Sequence, residues 1–187
     1  VRPERAVRIG YQVAAALVAV HDAHIVHRDI KPENIFLTSK AGRDDFVKLL
    51  DFGVAKLIDT DGKSVHDTGI GATVGTRDYM SPEQLVGQNV DHRADIFSIG
   101  VVLYETLVGK LPFVSDTDRG MLFAQLEKPT APASIAGLPR PVPAELSALV
   151  MQCLENDMKN RPQTMREVKG RLEQMAAEGT EFRAGVN

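Results

Sequence analysis

The chain has no tryptophan, one cysteine and no apolar run that approaches the length of a membrane span. The single Cys153 cannot form an internal disulfide, which is typical of a protein from a reducing, cytosolic setting. A helix that spans a bilayer needs about 20 apolar residues in succession, so no transmembrane segment is expected within these residues. The net charge of −3 gives no excess of positive charge that would favour nucleic acid or an anionic membrane as a partner.

The sequence also begins without an initiator methionine and without a signal-peptide pattern. We therefore expect it to be a piece of a longer protein. The sequence does not say whether that protein carries a membrane anchor outside this piece. What is present is ordinary for a globular domain: 187 residues, of which 43% are hydrophobic and 25% are charged. That length is sufficient for one domain with a sizeable core.

The spacing of apolar residues predicts a mainly α-helical fold. Residues 93–108 are apolar almost all round, which is typical of a buried helix, and Gly109 follows as a helix stop. Thr164 and Glu167 form a capping-box pattern that opens the last helix. The predicted helices are 3–23, 93–108, 116–127, 144–155 and 164–177, and 178–187 is predicted to be a flexible tail.

One small β-hairpin is predicted between the first two of these helices. The apolar runs 35–37 and 46–50 are separated by a polar stretch that contains Gly42. This hairpin would bring Asn34 and Asp51, at its two ends, close together. Residues 54–80 follow as a long polar loop rich in glycine and threonine, and such a length favours a functional loop over a plain surface connection.

Three histidines, His21, His24 and His27, recur at intervals of three residues and could be taken for a metal site. Packing or capping roles at a helix end are commoner for such a spacing. No cysteine or glutamate lies nearby to complete a ligand set, so we do not expect a metal there.

Three motifs occur in a fixed order: HRDIKPEN at 27–34, DFG at 51–53 and GTRDYMSPE at 75–83. Together they resemble the catalytic, metal-binding and substrate-side loops of protein kinases. The resemblance runs from about Val1 to about Met175 and is specific to bacterial serine/threonine kinases of the eukaryotic-like type. It implies that residues 1–177 form the C-terminal lobe of this α+β family fold, without the N-terminal lobe.

The resemblance implies a role for each residue of the site. Asp29 corresponds to the family's catalytic base, and Lys31 would place positive charge on the phosphoryl group of ATP during transfer. Asn34 and Asp51 would bind Mg²⁺ through oxygen atoms, the ligands that this ion prefers. Glu33 would lie near the nucleotide ribose, through its backbone.

Lysine at position 31 and threonine at position 76 are typical of kinases that phosphorylate serine and threonine, so proteins bearing these residues are the expected substrates. Arg28, just before the catalytic aspartate, is typical of kinases that are activated by phosphorylation of the long loop. Thr68 is the first candidate for that phosphorylation and Thr73 the second. Within the family, Glu83 and Arg161 form a buried ion pair, and Asp95 bonds the backbone of the catalytic loop.

The 187 residues contain no glycine-rich phosphate loop and no strand lysine or helix glutamate of the kind that kinases use to hold ATP. We therefore expect the chain alone to have little activity, with the missing lobe acting in cis in the whole protein. An apolar patch around Leu49 and Phe52 would then be bare. A non-catalytic lobe that binds partner proteins is the alternative interpretation. A small-molecule kinase fits less well, because such relatives lack the Ser-Pro-Glu segment and the Arg161 pairing.

Overall fold

The computed structural model describes residues 1–40, 43–50, 76–127, 129, 131–132, 135 and 138–184. The described part is mainly helical with one two-stranded antiparallel sheet, as predicted. No helix in it is both long and apolar enough to cross a membrane. The helices are α1 (Pro3–Asp22), α2 (Pro82–Leu85), α3 (Arg93–Val108), α4 (Asp118–Leu126), α5 (Ala144–Cys153) and α6 (Met165–Ala184), and the strands are β1 (Ile35–Lys40) and β2 (Arg43–Leu49).

Helix α3 is the centre of the core. Its residues are buried on every side, including Asp95 and Ser98, because α1, α5 and α6 all pack against it. It ends at Gly109, whose backbone has φ of +80°, a left-handed conformation that glycine adopts without strain. The bounds predicted from the apolar pattern are therefore confirmed for this helix.

Helix α1 packs against α3 and α6 with the face that carries Val7, Ala14 and Leu17. Pro3 lies in its first turn, where the missing amide hydrogen costs nothing. At Gly10 the helices approach closely: a Cβ atom there would lie 2.9 Å from the Leu103 side chain. This contact fixes the distance between α1 and α3, and hence the position of the loop that follows α1.

The hairpin is attached to α1 by polar contacts. Its register pairs Ile35 with Leu49. Both strands contain more residues than the predicted runs 35–37 and 46–50. Arg5 donates two hydrogen bonds to the Asp45 carboxylate, at 2.9 and 2.7 Å. Gln12 donates to the Asp45 carbonyl at 2.8 Å and accepts from the Val47 amide at 3.2 Å. These bonds hold the hairpin in place beside the first helix.

Three predicted helix ends differ from the observed ones by two residues or more. Helix α4 begins after Thr117, not at residue 116, because the Thr117 hydroxyl caps the helix by accepting from the Gly120 amide at 3.0 Å. Helix α5 ends at Cys153 rather than at residue 155. Helix α6 continues to Ala184 rather than ending at residue 177, and the flexibility expected for residues 178–187 stays a prediction.

The capping box predicted at α6 is present in altered form. The Thr164 hydroxyl accepts from the Glu167 amide at 3.2 Å, as expected. The Glu167 carboxylate, however, accepts from the Gln163 amide at 3.0 Å and not from the Thr164 amide. The reciprocal bond has therefore moved one residue toward the N-terminus.

Candidate active site

Residues 27–34 connect α1 to β1 and carry the predicted catalytic side chains on the open side of the hairpin. The Lys31 ammonium lies 3.1 Å from a carboxylate oxygen of Asp29, and the two side chains are 18% and 29% exposed. A charged pair that remains open to solvent on one side can bind a polar reactant without first breaking a buried contact. The structure thus brings the side chains of Asp29 and Lys31 together.

Asn34 lies beneath this pair and is almost completely buried. Its amide nitrogen donates to the Asp29 carbonyl at 2.7 Å and to the Asp29 carboxylate at 2.9 Å. Since both neighbours are acceptors, the nitrogen must face them, and the amide oxygen is turned away from Asp29. An amide oxygen fixed in this way is a suitable ligand for Mg²⁺.

The second predicted Mg²⁺ ligand, Asp51, lies outside the described residues. The chain leading to it is described as far as Leu50, whose amide donates to the Asn34 carbonyl at 2.9 Å. This bond brings the end of the hairpin beside Asn34. The amide oxygen of Asn34 is therefore a suitable ligand for a magnesium ion. The end of strand β2 lies beside the same residue.

The backbone of the catalytic loop is held by Asp95. Arg28 has φ of +65°, an unfavourable left-handed conformation for a residue with a side chain. The fully buried Asp95 carboxylate accepts from the Arg28 amide at 2.8 Å and from the His27 amide at 2.9 Å. These are charge-assisted bonds, which are the stronger kind and can stabilise a strained backbone.

The three histidines lie in different environments. The Nε2 atom of His21 lies 2.8 Å from the Asp95 carboxylate, while His27 is completely buried and His24 is exposed with φ of +59°. In the part of the chain that the structure describes, no group of three or more His, Cys, Asp or Glu side chains is arranged to hold a metal. The contact of His21 with Asp95 was not predicted, since the two residues are far apart in sequence.

The ion pair expected between Glu83 and Arg161 is present and buried. The guanidinium donates to both carboxylate oxygens of Glu83, at 2.8 and 2.9 Å. It also lies 4.9 Å from the centre of the Phe97 ring. The remaining guanidinium hydrogens are taken by main-chain carbonyls, those of Arg93, Glu155 and Asn156. The pair thus ties the short helix α2 to the connection between α5 and α6.

The segment before α2 forms a turn of 3₁₀ helix from Thr76 to Tyr79. The Tyr79 hydroxyl donates to the Glu105 carboxylate at 2.6 Å, and burial, together with that carboxylate, raises the pKa of Tyr79. Burial and then Glu105 also raise the pKa of Asp78. The side chain of Thr76 is not among those described, so the role expected for it in a kinase that phosphorylates serine and threonine stays a prediction.

Gln84 joins this segment to the catalytic loop by donating to the Arg28 carbonyl at 2.9 Å. Sequence reasoning missed this residue, because nothing in its immediate neighbours indicates a partner 56 positions away. Glu33 is exposed beside the loop. The candidate phosphorylation sites Thr68 and Thr73 lie outside the described residues, as does Phe52.

The apolar patch expected around Leu49 is displaced. Leu49 is partly buried and packs against the core, while Phe36 and Leu50 are 55% and 41% exposed. Leu37 is 38% exposed as well, so the exposed apolar side chains at the hairpin are Phe36, Leu37 and Leu50.

Comparison with known proteins gives a consistent result. A family model described as "Protein kinase domain" matches residues 1–171. The chain is 41% identical over 170 residues to Serine/threonine-protein kinase pkn2 of Myxococcus xanthus, covering 91% of this chain and 20% of that protein. It is 40% identical over 170 residues to pkn3 of the same organism, with 90% and 31% covered. It is 37% identical over 172 residues to PknB of Mycolicibacterium smegmatis, with 92% and 26% covered. The chain therefore spans about a fifth to a third of the length of these relatives.

Proposed function

The chain belongs to the protein kinase domain family, and from that premise we propose that it is the C-terminal lobe of a serine/threonine kinase domain. The reaction would move the γ-phosphoryl group of ATP to a serine or threonine hydroxyl of a protein substrate. The names of its relatives, which are serine/threonine-protein kinases of bacteria, support this choice of substrate class.

One observation carries the proposal: the direct contacts among Asp29, Lys31 and Asn34 at the open end of the hairpin. In the proposed reaction, Asp29 accepts a hydrogen bond from the substrate hydroxyl, orients the oxygen and takes its proton. Lys31 remains close enough to place positive charge beside the moving phosphoryl group. Both effects are of the positioning and electrostatic kind on which phosphoryl transfer depends.

Magnesium, when bound, would neutralise charge on the phosphates of ATP. In this proposal the amide oxygen of Asn34 and the carboxylate of Asp51 hold the ion. The bonds that Asn34 donates to Asp29 would keep that oxygen aimed away from the base. The backbone of Glu33 would lie near the ribose. The base and the metal ligand would then be positioned by one shared contact.

We further propose that efficient transfer requires the lobe that covers the nucleotide in other kinases, acting in the same polypeptide. The 187 residues contain none of that lobe's phosphate-binding motifs. Without a cover, water enters the site and weakens its electrostatic interactions. Purified residues 1–187 should accordingly show little phosphorylation of a protein substrate. Robust turnover by this chain, abolished by Asp29→Asn, would contradict the requirement.

Regulation by phosphorylation of the long loop is also proposed, with Thr68 as the first site and Thr73 as the second. Arg28 supports it as the residue that would pair with the phosphate. Phosphopeptide mapping of an active protein that contains this chain should find a phosphate on one of the two threonines. Activity with neither threonine modified would count against this form of regulation.

The experiment for the main proposal uses a kinase-active protein that contains this chain. Transfer of labelled phosphate from ATP to a protein substrate should fall by about 10²- to 10⁴-fold in Asp29→Asn, because the base is lost. Asp44→Asn is the matched control, since Asp44 is an exposed acid on the same hairpin. Retained transfer in Asp29→Asn would reject the proposal, and the non-catalytic, partner-binding lobe would then be the better interpretation.

A further inference from the structure

The amide group of Gln84 joins two parts of the site that are distant in sequence. Its oxygen accepts from the amide and from the hydroxyl of Ser81, each at 3.1 Å, which caps helix α2. Its nitrogen donates to the Arg28 carbonyl at 2.9 Å. Because Ser81 fixes the oxygen, the nitrogen must face Arg28, so the cap determines the orientation of the longer contact.

The carbonyl of Arg28 belongs to the peptide unit that leads directly into Asp29. The amide of this unit, contributed by Asp29, is directed toward the Nδ1 atom of His27 at 3.4 Å. Gln84 therefore holds one edge of the unit and His27 the other. Arg28 also has the strained φ of +65°, and its own amide is bonded to Asp95. A unit held in this way fixes the direction in which the Asp29 side chain leaves the backbone.

Helix α2 itself is anchored at the residue next to Gln84. Glu83 forms the buried pair with Arg161, so the backbone that carries Gln84 is fixed to the connection between α5 and α6. Because its backbone is held in this way, the Gln84 side chain can hold the Arg28 carbonyl in one position. Gln84 is thus the direct contact between the segment ending in α2 and the backbone of the catalytic loop.

We propose that Gln84 is a positioning residue for Asp29, coupling the substrate-side segment to the direction of the catalytic base. The inference rests on the proposed role of Asp29. It predicts that a displacement of α2 reaches the base through the bond from Gln84 to the Arg28 carbonyl. A role of Gln84 limited to capping α2 would leave the backbone at Asp29 unaffected by changes at its nitrogen.

The test uses Gln84→Glu, which replaces the side-chain nitrogen by an oxygen. The other oxygen can still accept from Ser81, but the new oxygen cannot donate to the Arg28 carbonyl and is repelled by it. Gln88→Glu is the matched control, since Gln88 is exposed just beyond α2. In ¹H–¹⁵N spectra of residues 1–187, the Asp29 amide signal should move in the Gln84 variant and not in the Gln88 variant.

Kinetics in a kinase-active protein that contains the chain give a second readout. Gln84→Glu should lower kcat by about tenfold, the worth of roughly one hydrogen bond, with KM for ATP unchanged. Thermal melting identifies any variant that is unfolded. For folded variants, the Asp29 amide signal shows whether the position of the base has changed. If Asp29→Asn is inactive while Gln84→Glu matches Gln88→Glu in both kcat and the Asp29 signal, this inference is overturned alone. If Asp29→Asn keeps wild-type transfer, the proposed function itself has failed.

Discussion

Glu83, Asp95 and Arg161 are at most 4% exposed, whereas Asp29 and Lys31 keep 29% and 18% of their side chains open. We call the first set the buried frame and the second, together with Asn34, the open cleft. In the frame, the polar groups are surrounded by partners: Arg161 donates to a carboxylate and to three carbonyls, and Asp95 accepts from two amides and faces His21. In the cleft, the Lys31 ammonium lies beside the Asp29 carboxylate, which also accepts a hydrogen bond from the Asn34 amide.

The contrast separates two uses of charge in one fold. Buried charges are costly unless they are fully paired, so each frame residue must keep all its partners. Charges in the cleft remain partly hydrated and can exchange a contact with each other for one with a substrate. Substitutions in the frame should therefore change stability first, and those in the cleft should change catalysis first.

The largest effect on stability is expected from Arg161→Met. This change removes one partner of a buried pair and leaves the Glu83 carboxylate without its cation, at a cost of about 3–5 kcal/mol in the free energy of unfolding. Denaturant unfolding measures it. Arg166→Met is the matched control, because the pair of Arg166 with Asp22 is exposed and should contribute at most about 1 kcal/mol. Equal losses in the two variants would remove the distinction between frame and surface.

A smaller loss is expected from Asp95→Asn, of about 1–3 kcal/mol. One carboxylate oxygen becomes an amide nitrogen, so either the His27 amide or the Arg28 amide must face a donor. Denaturant unfolding gives the cost, and hydrogen exchange of the two amides shows which bond is lost. Unchanged protection of both amides would contradict the role assigned to Asp95 in holding the loop.

The smallest effect concerns Asp78, which is partly buried in the 3₁₀ turn before α2. Burial and Glu105 raise its pKa, so the folded chain binds this proton more tightly than the unfolded chain does. The stabilisation that this proton gives to the folded chain is complete below the pKa that Asp78 has in the unfolded chain. It is lost as the pH rises through the pKa of Asp78 in the folded chain. Asp78→Asn should therefore have a higher Tm than wild type at pH 7, with the difference disappearing below about pH 4. A difference that does not vary with pH would refute this explanation.

Parts of the fold with a strong local pattern could be predicted from the sequence. The predicted bounds of helix α3 are confirmed because apolar residues occur all round the helix between 93 and 108 and Gly109 follows. Helix α6 passes Gly179, a residue that costs about 1 kcal/mol relative to alanine in a helix. Extending an existing helix is much easier than starting one, so a weak residue near the end need not stop it.

The contacts that position the catalytic loop could be predicted only where a family motif names the residues. The resemblance indicated Asp95 and the pair of Glu83 with Arg161, which the structure describes as expected. It did not indicate His21 or Gln84, whose partners are 74 and 56 positions away. Such bonds depend on the packing of helices against one another, which no local pattern of residues encodes.

The central claim is that the open cleft performs chemistry while the buried frame maintains the fold, and Asp29→Asn tests it most directly. The substitution keeps an oxygen for Asn34 and loses only a partly exposed pair with Lys31, so the free energy of unfolding should change by at most about 1 kcal/mol. Unfolding and phosphoryl transfer are measured on the same preparation of a kinase-active protein that contains this chain. We predict near-native stability with transfer reduced by at least about 10²-fold. Transfer at the wild-type rate, or a loss of transfer that only accompanies unfolding, would contradict the claim.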